Sequence, residues 1–293
     1  MKFRICTDST SNLTDELIDK YGIEMISGKA SCEDGSEYTY YVRGRDYATA
    51  AKQYYDNMRR GIVYRTSLIN TQVFKKFFEP FLKNGEDVLF MGMSSGLTGT
   101  CGAARIAAEE FMEKYPDRKC IVVDSLGASL GVGLLLIYAA KLRDEEDYTI
   151  EQTAKWLEDN RLKMCHLFTV DDLKYLRRGG RISGAAAAIG SVLNIKPFLR
   201  ASTEGTIEAL EKIRGRKKTL NAIIERVKET ITDPENQIIS VVHADCEEDG
   251  RYVADAIQQA CHVKEIIFEY YDICSGTHVG PGALAVFYMA DHR

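Results

Sequence analysis

The chain has 293 residues, a length that corresponds to about two domains and can bury a core without disulfide or metal staples. Its 38 Lys and Arg against 43 Asp and Glu give a formal net charge of −5, which excludes the basic composition of a general nucleic-acid binder. A hydrophobic content of 45% with 28% charged residues excludes wholesale disorder.

The opening residues, Met1 to Asn12, turn polar after a short apolar run, so no secretion leader is expected. Phe3 to Thr7 reads as a strand, followed by the turn and cap formers Asp8 to Asn12. An amphipathic helix from Thr14 to Tyr21 stops at Gly22, and Ile23 to Ile26 is a second strand. Residues 28 to 44 are a loop or small hairpin. Asp46 to Arg60 is a helix ending at Gly61, and Asn70 to Lys83 another, kinked or broken near Pro80.

Asp87 to Met93 is a buried strand that leads through a small-residue turn, Ser94 to Gly99, into a helix from Thr100 to Tyr115. Lys119 to Asp124 is the next buried strand, followed by a long apolar helix. Its apolar stretch, about Ala128 to Ala140, is too short to span a bilayer. Continuous apolar strands separated by helices predict a parallel sheet covered on both faces. Ligands of such sheets sit beyond the carboxyl ends of the strands, where Asp8-Ser9, Ser94-Ser95 and Asp124-Ser125 fall. A charged helix, Thr149 to Lys163, carries Trp156 and closes this unit.

From Met164 the texture changes. Strands at Met164 to Val170, Ile195 to Leu199, Ile238 to His243 and Val263 to Tyr270 are mixed with helices and hairpin-like stretches. The fold class is α/β in two domains: an N-terminal three-layer parallel-sheet domain over residues 1–160, and a C-terminal α/β domain with a mixed sheet over 161–293.

The eight cysteines are scattered without a C-x-x-C pair, which fits reduced thiols in a cytoplasm. The five histidines show no metal spacing, so no metal is expected. Gly92-Met93-Ser94-Ser95-Gly96 fits a G-x-S-x-G elbow between strand and helix, and with Asp245 or Asp272 and His278 it gives a serine hydrolase in the order Ser, Asp, His. The same residues support a non-catalytic reading. Ser94, Ser95 and Gly96 offer hydroxyls and free N–H groups at a helix N-terminus, an anion site. Thr66 and Ser67 add a second hydroxyl pair, or simply cap the Asn70 helix.

His278 lies in a Gly- and Pro-rich turn from Ser275 to Leu284, where glycines permit close approach of ligand or backbone. His166 and His243 read as core or strand-end residues, His262 and His292 as surface. Tyr175 to Gly184, with Arg177, Arg178 and Arg181 as a solvated face or a docking surface for an acidic partner, precedes an alanine run, Ala185 to Ala188, that would pack closely or flank an apolar ligand. The basic run Lys212 to Lys218, with Arg214 and Arg216, is either a solvated helix start or a contact for phosphate or an acidic partner.

Several blocks in register resemble the bacterial DegV family: Thr7 to Leu13, Ser94 to Thr100, Phe168 to Ile182, Ile195-Lys196-Pro197, Arg214 to Lys218 and Gly276 to Leu284. They cover nearly the whole chain. The resemblance implies two α/β domains with a long-chain fatty acid in a tunnel between them. It also implies a carrier of the FakB type. Such a carrier is not itself an enzyme and has no cofactor. It presents the acyl carboxylate to a separate FakA-like fatty-acid kinase and carries acyl phosphate towards phospholipid synthesis.

By the same resemblance Thr66, Ser95 and His278 hold the carboxylate; the anion-site reading adds Ser67, Ser94 and Gly96 as supporting residues, and Arg178, Arg214 and Arg216 are candidate contacts for the kinase. A monomer is expected, with no nucleic acid and at most transient membrane contact. Two departures stand out. The family's Thr-Ser-Gln-Pro reads Thr66-Ser67-Leu68-Ile69 here, and Cys101 stands where a tyrosine is usual.

Overall fold

A computed structural model describes residues 3–33, 35–182 and 194–293 of the chain. The alanine run 185–188 lies outside the described residues.

The first sheet is parallel, in the order β2 (Ile23–Ile26), β1 (Arg4–Asp8), β6 (Val88–Gly92), β7 (Cys120–Asp124). β6, Val-Leu-Phe-Met-Gly, is buried along its whole length, as a central strand covered on both faces requires. The helix Asp15–Tyr21 between β1 and β2 starts where Thr14 Oγ1 accepts from the Leu17 N–H and stops at left-handed Gly22. The helix Thr71–Lys83 runs unbroken through Pro80, against the expected break. Pro80 lies in the last turn, so it removes one helix hydrogen bond, to the Lys76 carbonyl, with only three helical residues left to follow it. Phe74, Phe78 and Leu82 repeat on one buried face, and both phenylalanines pack on Phe90 at ring distances of 5.1 and 5.8 Å.

The second sheet is mixed, in the order β10 (Ile207–Arg214), β9 (Ile195–Ala201), β8 (Met164–Thr169), β13 (Leu284–Met289), β11 (Ile238–His243), β12 (Glu265–Tyr270). Only β11 and β12 pair in parallel. The sequence did not single out β10 or β13. The helix Leu130–Glu145 is buried nearly all round and touches β1 and β6 on one side and β8, β11 and β13 on the other. An all-round apolar helix is a core helix, and here its burial joins the two sheets into one core.

A third, small antiparallel sheet was only half expected. β3 (Lys29–Cys32) and β4 (Glu37–Thr39) form the hairpin, and β5 (Tyr64–Thr66) adds to the other side of β3. Ala30 faces Thr66 across one ladder and Tyr38 across the other.

Candidate functional site

Thr66 is the last residue of β5, and the ladder to β3 fixes its position. It does not cap the following helix; Asn70 does, accepting from the Val73 N–H. The chain is then held by Ser67, whose N–H and hydroxyl both donate to the Lys29 carbonyl at 3.2 Å. His278 lies on a short helix, Ile273–Val279, and not in a turn: only Gly280 to Ala283 turn before β13. Asp272 starts that helix by accepting from the Ser275 N–H at 2.7 Å.

These two elements bring Thr66 Oγ1 and His278 Nε2 to 2.8 Å. The close approach depends on glycine. A methyl group on Gly179 would stand 2.2 Å from His278 Nδ1, and one on Gly276 would stand 2.1 Å from the Tyr55 hydroxyl. Burial lowers the His278 pKa to about 4, and the positive charges of Arg181 and Arg178 push the same way. The imidazole is therefore neutral at pH 7, with one nitrogen donating and one accepting.

The pair sits in the wall of a cavity of about 300 Å³, at the small end of the range for ligand pockets. Asp8, Ser9, Gly127 and Ala128 contribute from the carboxyl ends of β1 and β7, where the parallel sheet predicts a ligand. Ile69, Met93 and Leu97 supply apolar wall from one side, Phe168, Ile207 and Phe287 from the mixed sheet. Leu68, in place of a polar glutamine, lines the cavity and is 52% exposed.

Arg181 also lines the cavity, and sequence reading assigned it no part in binding. Its guanidinium donates to the Leu97 carbonyl at 3.2 Å and to the Gly179 carbonyl. Among the described residues it has no carboxylate partner. The available signal was Gly179-Gly180, since Gly180 at φ +70° ends the preceding helix and reverses the chain before Arg181.

The Ser94 to Gly96 turn differs from both sequence readings. Ser94 is fully buried; its hydroxyl donates to the Gly205 carbonyl at 2.8 Å and accepts from the Gly96 N–H at 3.0 Å. A nucleophile needs a base within hydrogen-bond reach, and His278 Nε2 is on Thr66 instead. The turn is no free anion cradle either. The Ser95 N–H points at both Asp124 carboxylate oxygens, at 3.2 and 3.3 Å, and the Gly96 N–H is taken by Ser94. Ser95 is exposed, and its hydroxyl has no partner among the described residues. Neither Ser95 nor Gly96 is among the described residues that line the cavity.

The other four histidines stand apart from the Thr66–His278 pair, although His166 also lines the cavity. His166 is buried, donates from Nδ1 to the Met164 carbonyl at 2.9 Å and accepts at Nε2 from the Ala128 N–H at 3.1 Å. His243 is buried between Phe268 and Tyr270. His262 and His292 are exposed. Among the described residues no group of His, Cys, Asp and Glu could hold a metal.

Of the basic residues, Arg178 is exposed, with its guanidinium 5.2 Å from the centre of the Tyr175 ring. Arg214 is exposed at the end of β10. Arg216 is half-buried and bonded to Asp249 at 2.7 Å. The run 212–218 thus straddles a strand end and a helix start, joined at Gly215.

Residues 2–291 match the model of the family described as "Uncharacterised protein, DegV family". A DegV domain-containing protein of Clostridium perfringens is 39% identical over 292 residues, covering 100% of this chain and 99% of the relative. The crystal structure of DegV, a fatty acid binding protein from Bacillus subtilis, superposes with a TM-score of 0.85 at 28% identity, over 99% of this chain and 100% of that one. The Streptococcus pneumoniae Fatty Acid Kinase (Fak) B3 protein loaded with linoleic acid gives a TM-score of 0.83 over 99% and 100% of the two chains. At 20% identity that last likeness is one of fold.

Proposed function

Because the chain belongs to the DegV family, we propose that it binds a long-chain fatty acid between its two units, residues 1–160 and 161–293, with the carboxylate at Thr66 and His278. The observation that carries this is the position of that pair in the wall of an otherwise largely apolar cavity of about 300 Å³. A neutral imidazole and a hydroxyl can both turn donors towards a carboxylate, and Arg181 adds fixed positive charge. Burying an ionised carboxylate without such donors is costly. Ser95 has a free hydroxyl but lies outside the cavity wall, so its part as a third carboxylate donor rests on the family resemblance alone. Ser67, Ser94 and Gly96 support the loops that carry these residues.

The tail supplies the affinity. At about 0.8 kcal/mol per buried CH₂, a C16 chain gains on the order of 10 kcal/mol before the costs of association. The fatty-acid-binding relative from Bacillus subtilis supports this assignment. The carrier role is one step further. The loaded protein presents its carboxylate to a separate FakA-like kinase, receives an acyl phosphate and carries it towards phospholipid synthesis. Exposed Arg178 and Arg214, with half-buried Arg216 beside Asp249, are its contacts for that kinase. We propose a monomer working in the cytoplasm. Free cysteines at all eight positions fit that compartment, and no described helix is long and apolar enough to cross a membrane.

The test is solvent extraction of the purified protein followed by mass spectrometry. A near-equimolar fatty acid, or its uptake on addition, is the expected result. Protein that is empty and takes up none overturns the proposal.

A further inference from the structure

A second cavity, of about 260 Å³, lies against the first. Its apolar wall includes Leu13, Met25 and Val42, and two residues, Ser9 and Tyr40, line both cavities. Ser9 is fixed, because its hydroxyl accepts from the Gly28 N–H at 3.1 Å. Tyr40 is held differently. Its N–H donates to the Gly28 carbonyl at 3.1 Å, so the backbone is anchored. Its ring is buried, and its hydroxyl has no oxygen or nitrogen partner among the described residues, only the Cys274 thiol beside it. Swinging the ring aside therefore gives up no more than a weak contact with that thiol. The ring also lies flush on Gly28, where a methyl group would stand 3.0 Å from two of its carbons.

Tyr40 directly follows β4, on the far side of the small sheet from Thr66 on β5. Two strand spacings, about 10 Å, separate those outer strands. A long acyl chain anchored at Thr66 and His278 is more than long enough to reach this wall. We propose that Tyr40 is a septum that limits the length of acyl chain the protein accepts, and that the second cavity takes the end of a longer chain once the ring is displaced. This rests on the fatty-acid reading of the first cavity.

The test compares wild type, Tyr40→Ala and Tyr40→Phe for affinity across saturated acids from myristic to behenic. A buried methylene is worth roughly fourfold in affinity. Wild type and Y40F should share one optimum, and Y40A should shift it to a longer acid, with about that gain for each added methylene that finds space. Adding Met25→Trp to Y40A refills the second cavity and should return the optimum to that of wild type. If Y40A does not fold, Tyr40→Leu, which keeps an apolar side chain in the core, is measured in its place. An unchanged optimum in the folded variant, or no reversal by M25W, overturns the septum. A wild-type protein that binds no acid in the series overturns the fatty-acid reading itself, and the septum with it.

Discussion

Thr66 Oγ1 and His278 Nε2 are 2.8 Å apart although 212 residues separate them in the chain. One sits at the end of a strand in the small sheet and the other on a helix before the last strand. Their contact therefore exists only when the small sheet and the helix before β13 are assembled around the cavity. If both groups donate to a bound carboxylate, removing either loses a hydrogen bond to a charged group, worth about 1.5–3 kcal/mol. Thr66→Ala and His278→Ala should each weaken fatty-acid binding by roughly 10- to 100-fold. The double variant should lose less than the sum, because the two share one acceptor. Fatty-acid methyl esters, which lack the charge, should show little difference between variants. Equal effects on acid and ester would remove the carboxylate from this corner.

Gly179→Ala separates the imidazole's position from its presence. Gly179 is the last residue of the helix Lys174–Gly179, where alanine is tolerated and gains less than the ~1 kcal/mol of an interior position. Its methyl group, however, would stand 2.2 Å from His278 Nδ1. The variant should keep its melting temperature within a few degrees and lose about tenfold or more in fatty-acid affinity. Undiminished affinity would show that the imidazole can shift without consequence for the ligand.

Two buried groups should give the protein opposing pH responses. His278 has a folded pKa of about 4, held down by burial and by Arg181 and Arg178, against about 6.5 in the unfolded chain. The unfolded state binds more protons between those values, so this group removes stability as pH falls from about 6.5 to 4. His166 is shifted downward too, by burial and Arg293, and acts in the same direction. Asp272 is pushed up to about 7 by burial, from about 3.9 unfolded. Here the folded state binds more protons, and stability is lost as pH rises from about 4 to 7.

Asp272→Asn keeps an acceptor for the Ser275 N–H and removes the charge. Denaturant titrations should show it gaining on wild type as pH rises through that window, by a few kcal/mol at most. A difference that does not change with pH would mean Asp272 titrates normally.

The parallel sheet was legible because each of its strands is a short apolar run closed by a cap or turn former. Gly22 and Thr14 mark their helix in the structure as they do in the sequence. Thr66 was harder. Three residues, Tyr64 to Thr66, carry no alternation of their own, and they are a strand only because β3 offers a free edge. β13 was hidden for the opposite reason. All of Leu284 to Tyr288 is buried, so the run shows no period to read. The Ser94 turn misled because a pattern of small residues between strand and helix gives no account of what else occupies it. Asp124 and Gly205 come from 29 and 111 residues away to take up its polar groups.

That occupancy makes Ser94 a positioning residue with a testable absence of reactivity. Its hydroxyl is fully buried and donates to Gly205, the tip of the β9–β10 connection, at 2.8 Å. It thereby ties the first sheet's β6 turn to the mixed sheet. Ser94→Ala leaves the Gly205 carbonyl and the Gly96 N–H without this partner, a cost of about 1–3 kcal/mol where such groups are buried. Its melting temperature should fall by several degrees, while the chain-length preference for fatty acids stays that of wild type. Fluorophosphonate should not label the wild-type protein at Ser94, because no base activates that oxygen. Stoichiometric labelling there, abolished in S94A and in H278A, would restore the hydrolase and require His278 to leave Thr66 for Ser94.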